Sequence, residues 1–172
     1  MPTTLLTLGA CTVTYNSVAM GDTSGGVEVT FDYNAIEHAS DQSSTLEEIF
    51  LVARGITATV PLQENDLAKL QYAFPDGTYV LDSGGIKKKI TLGNGTTIKL
   101  SGVAYALVLD PVNDATDNEI VTIHKAVVSS AITVRYAKEG VRIWQVQFKG
   151  LRDTTKSAGN QLCTIGDTTA TA

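Results

Sequence analysis

Val27-Glu28-Val29-Thr30-Phe31-Asp32-Tyr33 alternates without a break, apolar at the odd positions and polar at the even ones. A strand turns successive side chains to opposite faces, so this period belongs to a half-buried strand and not to a helix. The same period returns downstream. Ile56, Ala58, Val60 and Leu62 repeat it, with Thr57, Thr59 and Gln63 facing the other way. Pro61 cannot donate to a ladder and marks a strand end or edge there. Ile132, Val134 and Tyr136 alternate with Thr133 and Arg135; beyond a turn expected at Lys138-Glu139-Gly140, Trp144, Val146 and Phe148 alternate with Gln145, Gln147 and Lys149. These last two segments predict a hairpin.

Working outward, residues 5–15, rich in Thr and apolar side chains, and residues 119–128 read as further strands. Residues 86–92 and 96–109 flank Gly93-Asn94-Gly95, and Asn-Gly accepts the positive φ of a tight type I′ turn, so a second hairpin is expected across it. One helix stands out: Asn65 is placed to cap it, Asp66 suits its positive end, and Leu67, Leu70 and Phe74 recur at helical spacing before Pro75 and Gly77. Residues 46–54 are ambiguous. Thr45-Leu46-Glu47-Glu48 matches a capping box with Leu46, Ile49, Phe50 and Ala53 as a helical stripe, yet the same residues can begin a long strand running to Leu62. Loops are expected at 20–26, 34–44, 75–85 and 110–118. The pattern predicts a mainly β chain, a β-sandwich or barrel of about seven strands with one short α-helix. It reads as a single domain over residues 1–172, with an N-terminal arm or strand at about 1–20 and a C-terminal arm at about 153–172.

Composition narrows the function. The 172 residues are 43% hydrophobic and only 18% charged, against roughly 25% charged in an average soluble domain. A disordered acidic chain is excluded, since the apolar residues suffice for a core. Thirteen Lys and Arg against eighteen Asp and Glu give a net charge of −5, the wrong sign for a dedicated phosphate binder. No apolar run approaches the ~20 residues of a membrane span, and Met1-Pro2-Thr3-Thr4-Leu5 carries no basic signal-peptide stretch, so a cytoplasmic origin is expected. Cys11 and Cys163, far apart and without a CxxC, read as reduced thiols.

The chemistry-bearing residues assemble into no reaction centre. His38 and His124 have no Cys or second His at metal-ligand spacing and read as structural or surface histidines. Cys11 reads as a small hydrophobe, and Cys163 has no neighbouring His to activate it. Residues 110–119 are rich in Asp and Asn but lack EF-hand spacing, and turn chemistry accounts for them. Neither Gly25-Gly26 nor Gly93-Asn94-Gly95 opens a helix as a phosphate cradle does. Lys87-Lys88-Lys89 reads as an edge strand guarded by lysines, with Lys88 on the Ile86/Ile90 face reaching towards a rim, an interface or a carboxylate. No catalytic, metal-binding or cofactor-binding residue is nominated, and neither an enzyme activity nor a cofactor is expected.

The order of these pieces resembles the major tail tube proteins of long-tailed bacteriophages and, more loosely, the tube protein of type VI secretion. The likeness spans roughly residues 20–167. It comprises the Gly-led strand Gly26-Val27-Glu28-Val29-Thr30-Phe31, an acidic Ser-rich loop with Asp41-Gln42, and Gly55-Ile56-Thr57-Ala58-Thr59-Val60-Pro61-Leu62-Gln63-Glu64 leading into a short helix. Lys125-Ala126-Val127 then precedes the strand at Ile132, and Gln147-Phe148-Lys149-Gly150-Leu151-Arg152-Asp153 with Cys163-Thr164-Ile165-Gly166-Asp167 closes the chain. Under the resemblance, residues 46–54 are strand.

The resemblance implies a structural virion protein. Subunits join into six-fold rings whose inner sheets merge into one barrel; the rings stack into the tail tube, and DNA passes through the channel into the host without specific binding. It implies a virion-tail location after assembly in the host cytoplasm, with tape measure, tail terminator and baseplate proteins as partners. Merging sheets would remove edge strands, few charges suit flanks buried as interfaces, and an acidic wall repels the phosphate backbone. Glu28, Asp32 and Glu37, with Glu47 or Glu48 on the following strand, are the candidate lumen-lining acids. Asn34, Glu37, Asp41, Gln42 and Ser44 are the candidate ring-stacking loop. The rival expectations are a virion decoration or host-binding module, a secretion tube, and a small-ligand-binding β-barrel.

Overall fold

The structure is a computed structural model that describes residues 9–39, 45–93, 95–112, 116–136 and 139–170. In chain order the strands are β1 (Cys11–Tyr15), β2 (Val18–Ala19), β3 (Glu28–His38) and β4 (Glu48–Leu62). The helix α1 (Leu67–Leu70) follows and runs into a 3-10 turn at Gln71–Ala73. Then come β5 (Thr78–Leu81), β6 (Lys88–Thr91), a 3-10 turn at Leu100–Gly102, β7 (Tyr105–Pro111) and β8 (Val121–Val128). The chain ends through β9 (Thr133–Val134), β10 (Trp144–Gly150) and β11 (Cys163–Ile165). It is mainly β with one short helix, a sandwich- or barrel-like fold dominated by one large antiparallel sheet.

That sheet has nine strands in the order β2-β1-β7-β8-β10-β4-β3, with β11 added to β8 and β9 to β10; β5 and β6 form a separate pair. The edge of β8 is shared: Val121–Ile123 face β11, and Ala126–Val128 face β10. Val134 opposite Trp144 and Thr133 opposite Gln145 make the predicted β9–β10 hairpin. The core lies where alternate residues of several strands converge. Ile56, Ala58, Val60 and Leu62 of β4 are fully buried, as are Val146 and Phe148 of β10, Leu107 and Ile123. Tyr15 stacks at 4.9 Å from Phe148 and donates its hydroxyl to the carbonyl of Ala126 at 3.0 Å. Burial pushes that phenol up to about 12. Gly150 has to be glycine for packing, because a Cβ there would run into Ile56 Cγ2.

The structure decides one open reading and departs from expectation at four places. Residues 46–54 are strand from Glu48 onward, as the resemblance implies and the capping-box pattern does not. The Asn-Gly hairpin is absent: β6 pairs with β5, which forms inside the expected 75–85 loop, and 96–99 leave the sheet altogether. Asp82 explains the choice, since its Oδ1 accepts from the N–H groups of both Ile86 and Lys87 and closes the turn that joins β5 to β6. Asn94 itself lies outside the described residues, as do Lys138 of the other turn and the first part of the 5–15 segment. Asp66, not Asn65, caps the helix, accepting from the N–H of Ala68. The expected 34–44 loop starts later, because β3 continues through His38. Within the expected C-terminal arm, Cys163–Ile165 is docked as β11.

Candidate assembly surface

Beyond the core, β3 and β4 continue together as a two-stranded ribbon. β10 follows β4 only as far as the pair Lys149–Thr57, so from Glu48 to Ile56 the one strand paired with β4 is β3. β3 ends the sheet order, and its outer edge has no strand neighbour among the described residues. A β-bulge interrupts the register: Asn34 pairs with Ala53 and Ala35 with Leu51, leaving Val52 as the extra residue.

The register assigns the faces. On the face continuous with the core stand Phe31 opposite Ile56, Tyr33 opposite Arg54, Ala35 opposite Leu51 and Glu37 opposite Ile49. The other face carries Glu28 opposite Thr59, Thr30 opposite Thr57, Asp32 opposite Gly55, Asn34 opposite Ala53, Ile36 opposite Phe50 and His38 opposite Glu48. It extends onto β10 through Gln147 and Lys149. Glu28, Asp32 and Glu48 therefore share one face, polar from Glu28 to Asn34 and apolar at Ile36 and Phe50. Glu37 belongs to the opposite, apolar face, and Glu47 precedes β4, its N–H donating to the His38 carbonyl at 3.0 Å. Asn34 and Glu37 are strand residues rather than loop residues, while Asp41, Gln42 and Ser44 lie outside the described residues.

Acidic residues are not what most distinguishes the ribbon. Tyr33 is 67% exposed, Ile36 57% and Phe50 50%, and Phe31, Leu46, Ile49, Leu51 and Val52 are exposed beside them. Sequence reasoning aimed at carboxylates passed over these. Their signal was the run Ile49-Phe50-Leu51-Val52, apolar without alternation, which no half-buried strand requires.

Two open grooves of about 390 and 470 Å³ adjoin at the base of the ribbon, between it and the C-terminal segment. They share Arg54, Gly159 and Leu162; Phe31, Tyr33 and Ile165 line one, Val52 and Arg152 the other. Arg152 donates its Nε to Gln161 Oε1 at 2.7 Å.

The remaining polar residues have local roles. His124 Nε2 lies 2.9 Å from Asn160 Oδ1 and 3.0 Å from Thr164 Oγ1, a satisfied structural histidine that ties β11 to β8. Lys88 reaches a carboxylate, Asp66, at 3.0 Å, which fastens the β5–β6 pair to the helix. Both thiols are free, and burial pushes each upward, with Asp110 adding to the effect at Cys11. Among the described residues no three His, Cys, Asp or Glu side chains converge as metal ligands, and no helix is long and apolar enough to cross a membrane. Compared with known proteins, the chain matches no protein-family model and no curated protein.

Proposed function

We propose that this chain is a structural subunit of a phage-type tail tube, assembling through its β3–β4 ribbon into stacked six-fold rings around a channel for DNA. The observation that carries this is the ribbon itself, with two backbone edges that have no strand partner among the described residues and large apolar side chains exposed on both faces. A two-stranded ribbon is marginal alone in water, its free edges invite pairing, and a clustered apolar surface of this kind marks a protein interface. Pairing ribbon edges between subunits would satisfy both demands at once and turn separate sheets into one barrel.

The polar face gives such a barrel a wall. Glu28 and Asp32 stand on it with threonines and glutamine, and Lys149 is a cation beside them. An acidic balance there keeps a nucleic acid sliding rather than sticking. In this role the protein resides in the virion tail, with tape measure, terminator and baseplate proteins as neighbours. Negative-stain microscopy across a concentration series tests the proposal. Rings of about six copies, or tubes built from them, are expected; isolated globules at every concentration would sink it.

A further inference from the structure

The grooves at the base of the ribbon are cationic and apolar, and neither arginine in them meets a carboxylate among the described residues. Among the described residues, the two ion pairs lie elsewhere, at Lys69–Glu64 and Lys88–Asp66. Both are exposed, Arg54 beside apolar Phe31, Leu162 and Ile165, and Arg152 beside Val52 and Leu162, where its Nε donates to Gln161. Among the described residues the flanking edge of β4 from Glu48 to Ile56 has no strand partner, so its backbone N–H and C=O groups are available to an added strand. A fitting occupant is extended, carries two carboxylates, and brings its own large apolar side chains.

The tip of the ribbon has that composition. Leu46, Ile49 and Phe50 are exposed there, and Glu47 and Glu48 stand among them, both exposed. The tip cannot serve its own groove. Arg54 lies six residues along the same strand from Glu48, about 20 Å of extended backbone, and the ribbon would have to fold back on itself.

We infer that the ribbon tip of one copy, residues 46–50, docks in the groove at the base of the next copy's ribbon, with Glu47 and Glu48 meeting Arg54 and Arg152. Leu46, Ile49 and Phe50 cover the apolar walls. The inference rests on the self-assembly proposed above and names its contact. Because tip and groove are different surfaces, the contact is head-to-tail, the type that closes into a ring or runs on as a filament. It also answers an electrostatic difficulty. Copies with a net charge of −5 repel one another, and a local acid-to-arginine match steers them into one register.

The test is a charge swap on the full chain, read by sedimentation velocity and negative stain over a concentration series. R54E/R152E and, separately, E47R/E48R are each expected to raise the concentration needed for assembly by about tenfold or more. The four changes together are expected to restore it to within about threefold of wild type. All four positions are exposed, so melting temperatures are expected to stay at the wild-type value. The milder pair R54Q/R152Q is expected to shift assembly in the same direction by less. Assembly of R54E/R152E at the wild-type concentration overturns the tip-in-groove contact and leaves the tube proposal standing. Loss in both single-sided variants without rescue in the fourfold one also overturns it, in favour of β3 edges pairing with one another. A wild-type chain that stays monomeric throughout removes both.

Discussion

β4 is a single strand with two unlike halves. From Ile56 to Leu62 every second residue is wholly buried; β3 pairs with this half as far as Thr59, and β10 pairs with it from Thr57 to Leu62. From Glu48 to Arg54 every residue is exposed, although Ile49, Phe50, Leu51 and Val52 are as apolar as anything in the core. Apolarity is therefore not what separates the halves. The separation comes where β10 leaves β4 at Thr57, and Gly150, the last residue of β10, packs directly on Ile56. One half of the strand is satisfied within the monomer; the other carries the same chemistry to the outside.

The largest blow to that contrast falls on the buried half. Phe148 has no exposure, stacks on Tyr15 and faces Ala58 across the β4–β10 ladder. Phe148→Ala is expected to lower unfolding free energy by about 3–5 kcal/mol, through lost transfer energy and an unfilled cavity. Urea denaturation checks it; a loss below about 1 kcal/mol would mean that the core does not close around β10.

This division also explains what was legible beforehand. Alternation in residues 56–62 records one wet face and one dry face, and the fold class followed from it. In residues 27–33 the same period outruns the burial, since Val27 and Val29 are half-buried while Phe31 and Tyr33 are exposed. Past Asn34 both faces of the ribbon are open to solvent, so burial imposes no period, and residues 46–54 could be read as helix or strand. The Asn-Gly signal at 94–95 was real turn chemistry that lost to a side chain, Asp82, whose role depends on Ile86 and Lys87 folding back to it. β11 was hidden because Cys163-Thr164-Ile165 is too short to show a period; its place depends on a free stretch of β8 and on His124. Of the candidate site, Glu28 and Asp32 were placed on a common face by alternation alone. Glu37 was not, since an odd-numbered residue on an uninterrupted β3 stays opposite them.

A smaller effect sharpens the satisfied end of β4. Just beyond Leu62, Glu64 accepts from Lys69 Nζ at 2.6 Å and from the N–H groups of Asn65 and Asp66. The Lys69 hydrogen bond, then the backbone donors, hold its carboxyl below the ordinary value of 4.5. A lowered folded value means that the ionised form stabilises the fold above the unfolded value, and that this share is lost as pH falls through the folded one. Glu64→Gln is thus expected to cost under about 1 kcal/mol at pH 7. The cost should vanish on acidification, as denaturation curves of the two proteins converge once pH falls below the ordinary carboxylate range. A difference that persists unchanged at low pH would assign the effect to packing instead.

The smallest expected effect on stability is at the exposed half, and it is the sharpest test of the division. Ile36 and Phe50 face each other across the ribbon with half or more of their surface in water. A cross-strand pair of this kind contributes ~0.2–1 kcal/mol, and the contribution is to the ribbon alone. Because nothing but β3 holds this part of β4, the ribbon can open locally while the core stays shut. Ile36→Ser with Phe50→Ser is therefore expected to leave the global unfolding free energy within about 0.5 kcal/mol of wild type. Amide exchange in the monomer is the direct measurement. Protection should be low through residues 48–54, rise abruptly at Ile56, and drop further on the outer side alone in the double variant. Uniform protection from Glu48 to Leu62 would mean that the two halves form one cooperative unit, and the ribbon would then be rigid enough to meet a partner without being ordered by it.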